Sequence, residues 1–302
     1  MSLADLVRVG AARVAEHAPI GPLTTYRVGG AARVLVTLDT PEDLAELAPL
    51  WQDCGLPLLM VGNGSNLLVA DGEHDVVAVR LGVGFSQLSW RDEAHEVLVT
   101  AGAALDLPVA ARRLASAGVV GFEWAVGVPG TFGGAVAMNA GGHGSDMAAS
   151  VSSVRLWRNG LTSLDARDLR FGYRESALVA GDVVVEVTCR LRHGDAGAAT
   201  AKIREIVAWR RANQPGGANA GSVFRNPPGD SAGRLIDAVG ANGLRHGSAR
   251  VSEKHANFIQ VDEGGRASDV YALTREVSER VLAATGVALA LEHRLVGFEV
   301  AR

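Results

Sequence analysis

The chain has 302 residues, of which 48% are hydrophobic and 21% charged, and this composition excludes a disordered or fibrous protein. The formal net charge of −4 argues against a general nucleic-acid-binding protein, which would need a basic face. No apolar run is long enough to span a bilayer, and Cys54 and Cys189 lack metal-binding spacing, so we expect a cytoplasmic protein with no membrane insertion and no metal site.

The first predicted element is an amphipathic helix at the N-terminus. Apolar residues recur there at helical spacing, namely Leu3, Leu6, Val7, Ala11 and Val14. Acidic residues interrupt this run, so it does not have the uninterrupted apolar region of a secretory signal peptide.

A compact β-α-β unit follows. Two β-like runs, ARVLVTL and LPLLMVG, flank a helical segment that Thr40 can cap, Pro41 can begin and Gly55 can end. Further strands are predicted at DVVAVRL, EVLVTAG, SVRLWRNG and DVVVEVTCRL, with the helix DLPVAARRLASAG among them.

The pattern changes near residue 195. A long helix, AGAATAKIREIVAWRRANQP, stops before Pro215. After it we expect a helix from Ser231 to about Val239, a strand ANFIQV, a helix SDVYALTREVSERVLAATG and a final strand HRLVGFEV. This mixture predicts an α+β fold without internal repeats, and we place a domain boundary at residues 194–200.

Glycines cluster between the apolar runs, at residues 28–30, 61–66, 126–134 and 139–144. The turn at residues 62–66 is either an anion-binding nest of N–H groups or an ordinary hairpin turn. The third cluster can let a flat ligand lie against its backbone, with a phosphate on the N–H groups of residues 131–135. Neither a dinucleotide-binding fingerprint nor a phosphate-binding P-loop is present, so composition predicts only a phosphate-containing cofactor.

The loop NAGSVFRNPPG, at residues 219–229, holds Ser222 among turn-forming residues. Ser222 can be a nucleophile, a phosphate-binding hydroxyl or a turn residue, and the absence of a GxSxG elbow argues against the nucleophile. A serine hydrolase or transferase and a non-catalytic nucleotide- or sugar-binding module remain open alternatives on these residues alone.

Seven motifs occur in an order that resembles the UDP-N-acetylenolpyruvoylglucosamine reductase family: TYRVGG, GNGSNLLV, GVPGTFGGAVAMNAG, FGYRES, GSVFRNP, SEKHANF and the late Glu292. The resemblance covers about Pro22 to Phe298. It implies a lead-in at residues 1–21, an FAD-binding region of the vanillyl-alcohol-oxidase type at 22–194, split near 75–80, and a C-terminal substrate domain at 195–302. Only one predicted strand and one helix separate Arg174 from Ser222, as in the shorter branch of the family without a tyrosine-bearing capping loop.

The resemblance implies a reaction of peptidoglycan precursor synthesis. In this family NADPH reduces non-covalently bound FAD, and a hydride then passes to UDP-N-acetylglucosamine enolpyruvate, giving UDP-N-acetylmuramate. A flavin oxidase of the same superfamily is a narrower alternative. The matching motifs imply that Ser222 donates the proton, Arg174 holds the substrate carboxylate, and Glu292 lies near the intermediate.

The chemistry of these side chains leaves alternatives. Arg174 can instead form a salt bridge with Glu175 or Asp182. Glu292 should be protonated or paired with Arg174, because a bare carboxylate would repel the carboxylate of the substrate; its alternative is a strand-end pair with Arg294.

The resemblance also implies two sets of binding residues. The FAD contacts are Gly62, Asn63, Gly64, Ser65, Asn66, Gly127, Pro129, Gly130, Thr131, Gly133, Gly134, Ala135, Asn139 and Gly142. The substrate contacts are Tyr173, Arg225, Asn226, Lys254 and His255, although a structural hydrogen bond is an equal alternative for His255. The chain departs from the family at Arg225, where Lys is common, and at His143, where Tyr is usual.

Overall fold

The computed structural model of the chain describes residues 3–9 and 13–299. The helices are α1 Leu3–Val9, α2 Pro41–Asp53, α3 Leu107–Ser116, α4 Phe132–Ala137, α5 Ala196–Asn213, α6 Ala232–Ala238 and α7 Ala267–Thr285. The strands are β1 Val14–Pro19, β2 Ala31–Leu38, β3 Leu58–Met60, β4 Leu67–Val69, β5 Glu73–Leu81, β6 Leu88–Glu93, β7 Glu96–Gly102, β8 Val119–Val120, β9 Gly141–Gly142, β10 Ser145–Asp146, β11 Val151–Trp157, β12 Leu161–Asp165, β13 Val183–His193, β14 Arg245–His246, β15 Ala249–Val251, β16 Ile259–Val261 and β17 Arg294–Val296.

The N-terminal helix is shorter than the sequence predicts. It covers only Leu3–Val9, and Ala11 lies outside the described residues. Val14 begins β1 instead of continuing the helix, because β1 pairs with β2, where Thr37 N donates to the carbonyl of Arg13 at 2.8 Å. The predicted extension of the helix to Val14 is therefore wrong.

The β-α-β unit of the sequence is confirmed, with one strand inserted. The sheet order is β1-β2-β5-β3, so β5 lies between the two strands that flank α2, and β3 and β5 run parallel. Thr40 Oγ1 accepts from Asp43 N at 3.1 Å, and Asp43 Oδ2 accepts from Thr40 N at 2.9 Å. This capping box, with Pro41 at the first helical position, begins α2 as predicted.

A larger antiparallel sheet has the order β12-β11-β13-β7-β6, and β8 also pairs with β13. Its three central strands were predicted and are confirmed. The edge strands β6 and β12 were not, because their mostly exposed side chains, as in LSWRDE, show no apolar alternation. Helices α3, α4 and α5 share one hydrophobic core with this sheet.

The described residues divide into two compact units that are not continuous in sequence. The first comprises residues up to Glu16, 34–63 and 75–210, and the second comprises 17–33, 64–74 and 211 onward. Helix α5 belongs to the first, because Ala199, Ile203 and Ile206 lie in its core, whereas the sequence-based boundary at 194–200 assigns α5 to the C-terminal part.

The second unit is built on α6, α7 and two small sheets. Strands β14, β15 and β16 form an antiparallel sheet, and β17 pairs in parallel with β4, which brings residues 64–74 to the C-terminal part of the chain. Ser231 caps α6, and Gly286 ends α7 in the left-handed conformation. In the described part of the chain, no helix has the length and apolarity to cross a membrane.

Candidate active site

Ser222 lies in a short extended segment that pairs on both sides with other parts of the second unit. It forms an antiparallel bridge with Phe258, and the next residue, Val223, donates its N–H to the carbonyl of Asn257 at 2.9 Å. On the other side Glu292 N donates to the carbonyl of Val223 at 2.8 Å. The structure therefore places the backbone of Glu292 opposite Val223, the residue after Ser222, although Ser222 and Glu292 are 70 positions apart in the chain.

The side chain of Asn257, which is 3% exposed, clamps the Ser222 segment by two hydrogen bonds to the backbone of Phe224. Its Oδ1 accepts from Phe224 N at 2.9 Å, and its Nδ2 donates to the Phe224 carbonyl at 2.8 Å. An amide side chain can satisfy both backbone groups of one residue in this way, as a neighbouring strand would. The sequence offered Asn257 only as part of SEKHANF and gave no signal of this clamp.

Three predicted substrate contacts have partners within the second unit. His255 Nδ1 accepts from Asn257 N at 3.3 Å, and burial lowers the pKa of His255. Lys254 Nζ donates to the carbonyl of Arg211 at 2.5 Å. Asn226 Oδ1 accepts from Ala232 N at 3.0 Å and so supports the start of α6. A structural hydrogen bond for His255 is therefore present, and a substrate contact for each of the three stays a prediction.

Glu292 is joined to the glycine-rich loop at residues 62–66. Asn66 Nδ2 donates to the Glu292 carbonyl at 3.0 Å, and Arg294 N donates to the Asn66 carbonyl at 2.9 Å. Between them lies His293, which is 6% exposed and makes a perpendicular ring contact with the buried Tyr26 at 5.6 Å between centroids. Burial lowers the pKa of His293 to about 4, and sequence reasoning did not single this residue out.

The loop at residues 62–66 depends on glycine at two positions. A β-carbon on Gly62 would lie 2.7 Å from Thr131 Oγ1. Gly64 has φ of +59°, and a β-carbon there would lie 2.5 Å from Thr24 Cα. Among the described residues, none accepts a hydrogen bond from the N–H groups of residues 62–65. A turn with such N–H donors is what the anion-nest interpretation requires, and a phosphate at this turn stays a prediction.

Most N–H groups at the second predicted phosphate position make hydrogen bonds within the protein. In residues 132–135, the first two N–H groups donate to the carbonyls of Leu105 and Ala103, and the next two donate to Thr131. These bonds anchor α4 to the end of β7 and the loop after it. The expectation of a phosphate on the N–H groups of residues 131–135 is therefore not supported at residues 132–135, because these four donors already have acceptors within the protein.

A cavity of about 260 Å³ lies beside the same glycine-rich segment in the first unit. Its walls are Pro108, Arg112, Val126, Gly127, Pro129, Val207 and Arg210. The apolar part suits a flat ring, and the two guanidinium groups suit phosphate. Burial lowers the pKa of Arg210. This combination of apolar and guanidinium groups is compatible with a ligand that carries a ring system and phosphates, and contact of FAD with Gly127 and Pro129 stays a prediction.

Two other predicted cofactor contacts in the first unit, Gly130 and Gly142, take part in backbone pairing. The Gly130 carbonyl accepts from Leu107 N at 2.9 Å, and Gly142 pairs with Ser145 in the β9–β10 hairpin. His143, in the turn of that hairpin, contacts Trp209 with perpendicular rings 5.1 Å apart. Burial and the nearby Arg210 lower the pKa of His143.

Arg174 lies in a tight turn of the first unit. Gly172 and Glu175 exchange backbone hydrogen bonds at 3.0 and 3.4 Å, and Arg174 adopts φ of +61° between them. Its Nη1 donates to the Gly141 carbonyl at 3.4 Å, and its guanidinium carbon lies 5.5 Å from the centre of the exposed Tyr173 ring.

Asp182, one alternative partner of Arg174, has another arginine. Arg158 Nε and Nη2 donate to its two carboxylate oxygens at 2.7 and 2.6 Å. This bidentate pair satisfies the carboxylate of Asp182. The stretch between the Arg174 turn and Ser222 holds β13 and α5, as the shorter branch of the family requires.

Comparisons with known proteins agree with this geometry. Residues 32–160 match the family model of an FAD binding domain, and residues 213–296 match the C-terminal domain of UDP-N-acetylenolpyruvoylglucosamine reductase. The chain is 40% identical to the reductase of that name from Granulibacter bethesdensis, over 94% of this chain and 91% of that one. The crystal structure of the Thermus caldophilus reductase has a TM-score of 0.81 and 35% identity, over 94% of this chain and 99% of that one.

A more distant solved structure supports the fold alone. Physcomitrella patens BBE-like 1 has a TM-score of 0.58 at 14% identity, over 95% of this chain and 90% of that one. The predicted α+β fold, its FAD-binding region and FAD as the cofactor are therefore confirmed. The chain belongs to the UDP-N-acetylenolpyruvoylglucosamine reductase family, the flavin-dependent reductases of peptidoglycan precursor synthesis.

Proposed function

We propose that the chain reduces the enolpyruvyl group of UDP-N-acetylglucosamine enolpyruvate to the lactyl ether of UDP-N-acetylmuramate, with NADPH as the electron donor. The chemistry that bound FAD supplies is hydride transfer, from NADPH to the terminal carbon of the enolpyruvyl group. The observation that supports the proposal is the backbone bond from Glu292 N to the carbonyl of Val223, which joins the segment of the proposed proton donor Ser222 to the segment of Glu292.

Ser222 donates a proton to the carbon next to the one that receives the hydride. A serine hydroxyl is a very weak acid, so it can protonate only a strongly basic, carbanion-like centre. The position of the Ser222 hydroxyl relative to this carbon therefore matters more than the acidity of the hydroxyl. Gly221 precedes Ser222 with φ of +77°, and the Val223–Asn257 hydrogen bond follows it, so the hydroxyl is carried on a constrained backbone.

Arg174 holds the carboxylate of the enolpyruvyl group. A guanidinium fork can make two parallel hydrogen bonds to a carboxylate and draw negative charge from the conjugated double bond. Glu292 stabilises the intermediate that forms after the hydride arrives, either as the protonated acid or paired with Arg174.

The remaining predicted substrate contacts, four in the second unit and Tyr173 in the first, bind the other parts of the substrate, with Arg225 and Asn226 at the diphosphate. Arg225 supports this role, because its Nε is buried without a hydrogen-bond partner in the described part of the chain. Asn226 uses its amide oxygen to support the start of α6, and its amide nitrogen is the proposed donor to the substrate. Tyr173, Lys254 and His255 complete the proposed set of substrate contacts.

The test separates the two half-reactions of holoenzyme under anaerobic conditions. Ser222→Ala should leave flavin reduction by NADPH within about twofold of normal and slow reoxidation by the enolpyruvyl sugar nucleotide at least about 100-fold. Ser89→Ala, on the exposed edge strand β6, is the matched control. Equal loss of both half-reactions would mean that Ser222 supports folding or flavin binding instead. Fast reoxidation by oxygen and slow reoxidation by the sugar nucleotide would favour the flavin oxidase.

A further inference from the structure

Asn139 is a buried amide whose side chain joins three segments of the first unit. It is 4% exposed and has φ of +39°. Its Nδ2 donates to the Gly172 carbonyl at 2.9 Å and to Asp146 Oδ2 at 3.2 Å, and its Oδ1 accepts from Ala148 N at 3.0 Å. Both amide hydrogens are therefore used within the protein, which leaves the side chain no donor for the flavin contact that the sequence predicts.

Gly172, whose carbonyl accepts from Asn139, is the first residue of the turn that carries Arg174. Gly172 and Glu175 close this turn with two backbone hydrogen bonds, and Arg174 between them has φ of +61°. A non-glycine residue pays a conformational cost in this region, so the surrounding contacts must hold the turn in place. Asn139 supplies one of these contacts from outside the turn.

The guanidinium group of Arg174 is held by the same stretch of chain. Its Nη1 donates to the carbonyl of Gly141, two residues after Asn139, at 3.4 Å. Ser176, just after the turn, donates to the carbonyl of Ala137, two residues before Asn139, at 3.0 Å. Residues 137–141 therefore form hydrogen bonds with Gly172, Arg174 and Ser176, which lie before, at and after the centre of the turn.

We propose that Asn139 is a positioning residue for Arg174: its bond to the Gly172 carbonyl sets the turn so that the guanidinium fork meets the carboxylate of the enolpyruvyl group. This inference rests on the proposed function, because it requires Arg174 to hold that carboxylate. It assigns Asn139 to the second half-reaction and not to flavin binding.

The variant Asn139→Asp with Asp146→Asn tests the bond to Gly172. Asp at 139 can still accept from Ala148 N, but it cannot donate to the Gly172 carbonyl. Asn at 146 removes the repulsion between two carboxylates and can still accept from Ala149 N, as Asp146 Oδ1 does at 3.1 Å. Flavin content, melting temperature and flavin reduction by NADPH should stay near normal, whereas reoxidation by the sugar nucleotide should slow about tenfold or more. The dissociation constant of the sugar nucleotide for oxidised holoenzyme, measured by calorimetry, should rise.

A double-mutant cycle with Arg174→Ala decides whether the effect passes through Arg174. In the Arg174→Ala background, the change at 139 and 146 should slow reoxidation no further than about twofold. The same loss in both backgrounds, or a loss of bound flavin, would overturn the positioning role while leaving the role of Arg174 intact. Unchanged reoxidation in Arg174→Ala alone would overturn the carboxylate role in the proposed function, and the positioning role with it. A purely structural Asn139 would lower the melting temperature and both half-reactions together.

Discussion

The N–H of Glu292 donates to the carbonyl of Val223 across 2.8 Å, and this bond joins the last extended segment of the chain to the loop that carries Ser222. The carbonyl of the same glutamate accepts from Asn66 Nδ2 at 3.0 Å. The backbone of Glu292 is thus fixed on both sides, and its side chain can be changed without breaking either bond.

We expect Glu292→Gln to be a folded protein with a defective second half-reaction. The amide keeps the size of the side chain but cannot carry a negative charge or give up a proton as an acid does. Reoxidation of reduced holoenzyme by the sugar nucleotide should slow about 10- to 1,000-fold, with flavin reduction by NADPH near normal. Glu263→Gln, in an exposed loop of the same unit, is the control. Full turnover of the flavin-to-substrate step in Glu292→Gln would remove Glu292 from the mechanism.

Asn257→Ala should mainly lower the stability of the folded protein. It leaves the buried N–H and carbonyl of Phe224 without the side chain that now satisfies both, and each lost partner costs about 1–3 kcal/mol. The melting temperature of the holoenzyme should fall by several degrees. Asn257→Asp keeps the acceptor for Phe224 N but buries a carboxylate oxygen against the Phe224 carbonyl, so its melting temperature should also fall. An unchanged melting temperature in the alanine variant would show that the clamp does not hold the Ser222 segment.

The local elements of the fold were predictable where a chemical signal lies within a few residues. The Thr40 and Asp43 capping box is encoded within one helical turn, and the apolar run of β13 identifies a central strand. Val14 shows the limit. Val14 continues the helical spacing of the preceding apolar residues, but it lies in β1 because β1 pairs with β2. The sequence around Val14 contains no pattern that indicates this pairing.

The candidate site divides in the same way. Ser222 and Glu292 came from motifs, whereas the bond that brings their backbones together links segments far apart in sequence. Asn139 and Asn257 both belong to motifs that the sequence shows. Their structural roles, however, depend on which carbonyl, distant in sequence, lies within 3 Å of each amide nitrogen. A motif therefore identifies the side chain that donates the hydrogen bond, but it does not identify the carbonyl that accepts it.

Gly64→Ala should weaken flavin binding more than its backbone cost alone would. The φ of +59° costs an L-residue about 1–2 kcal/mol, and the new β-carbon would also lie 2.5 Å from Thr24 Cα. Gly55→Ala is the matched control, because Gly55 has φ of +75° but open space around it. The ratio of flavin to protein absorbance should fall several-fold in Gly64→Ala and stay near normal in Gly55→Ala. Equal flavin content in the two variants would show that the close approach of residue 64 to Thr24 does not affect flavin binding.

His293 should make the protein sensitive to acid. Burial lowers its pKa from 6.5 to about 4, so between these values the unfolded chain binds a proton that the folded chain does not. Stability therefore falls as pH decreases through this window, by up to about 3 kcal/mol. In His293→Leu the melting temperature should fall less between about pH 7 and pH 4.5 than in the unmodified protein, whereas the exposed control His95→Gln should keep the normal pH dependence. Parallel melting curves for His293→Leu and the unmodified protein across this range would mean that the buried imidazole is protonated without cost.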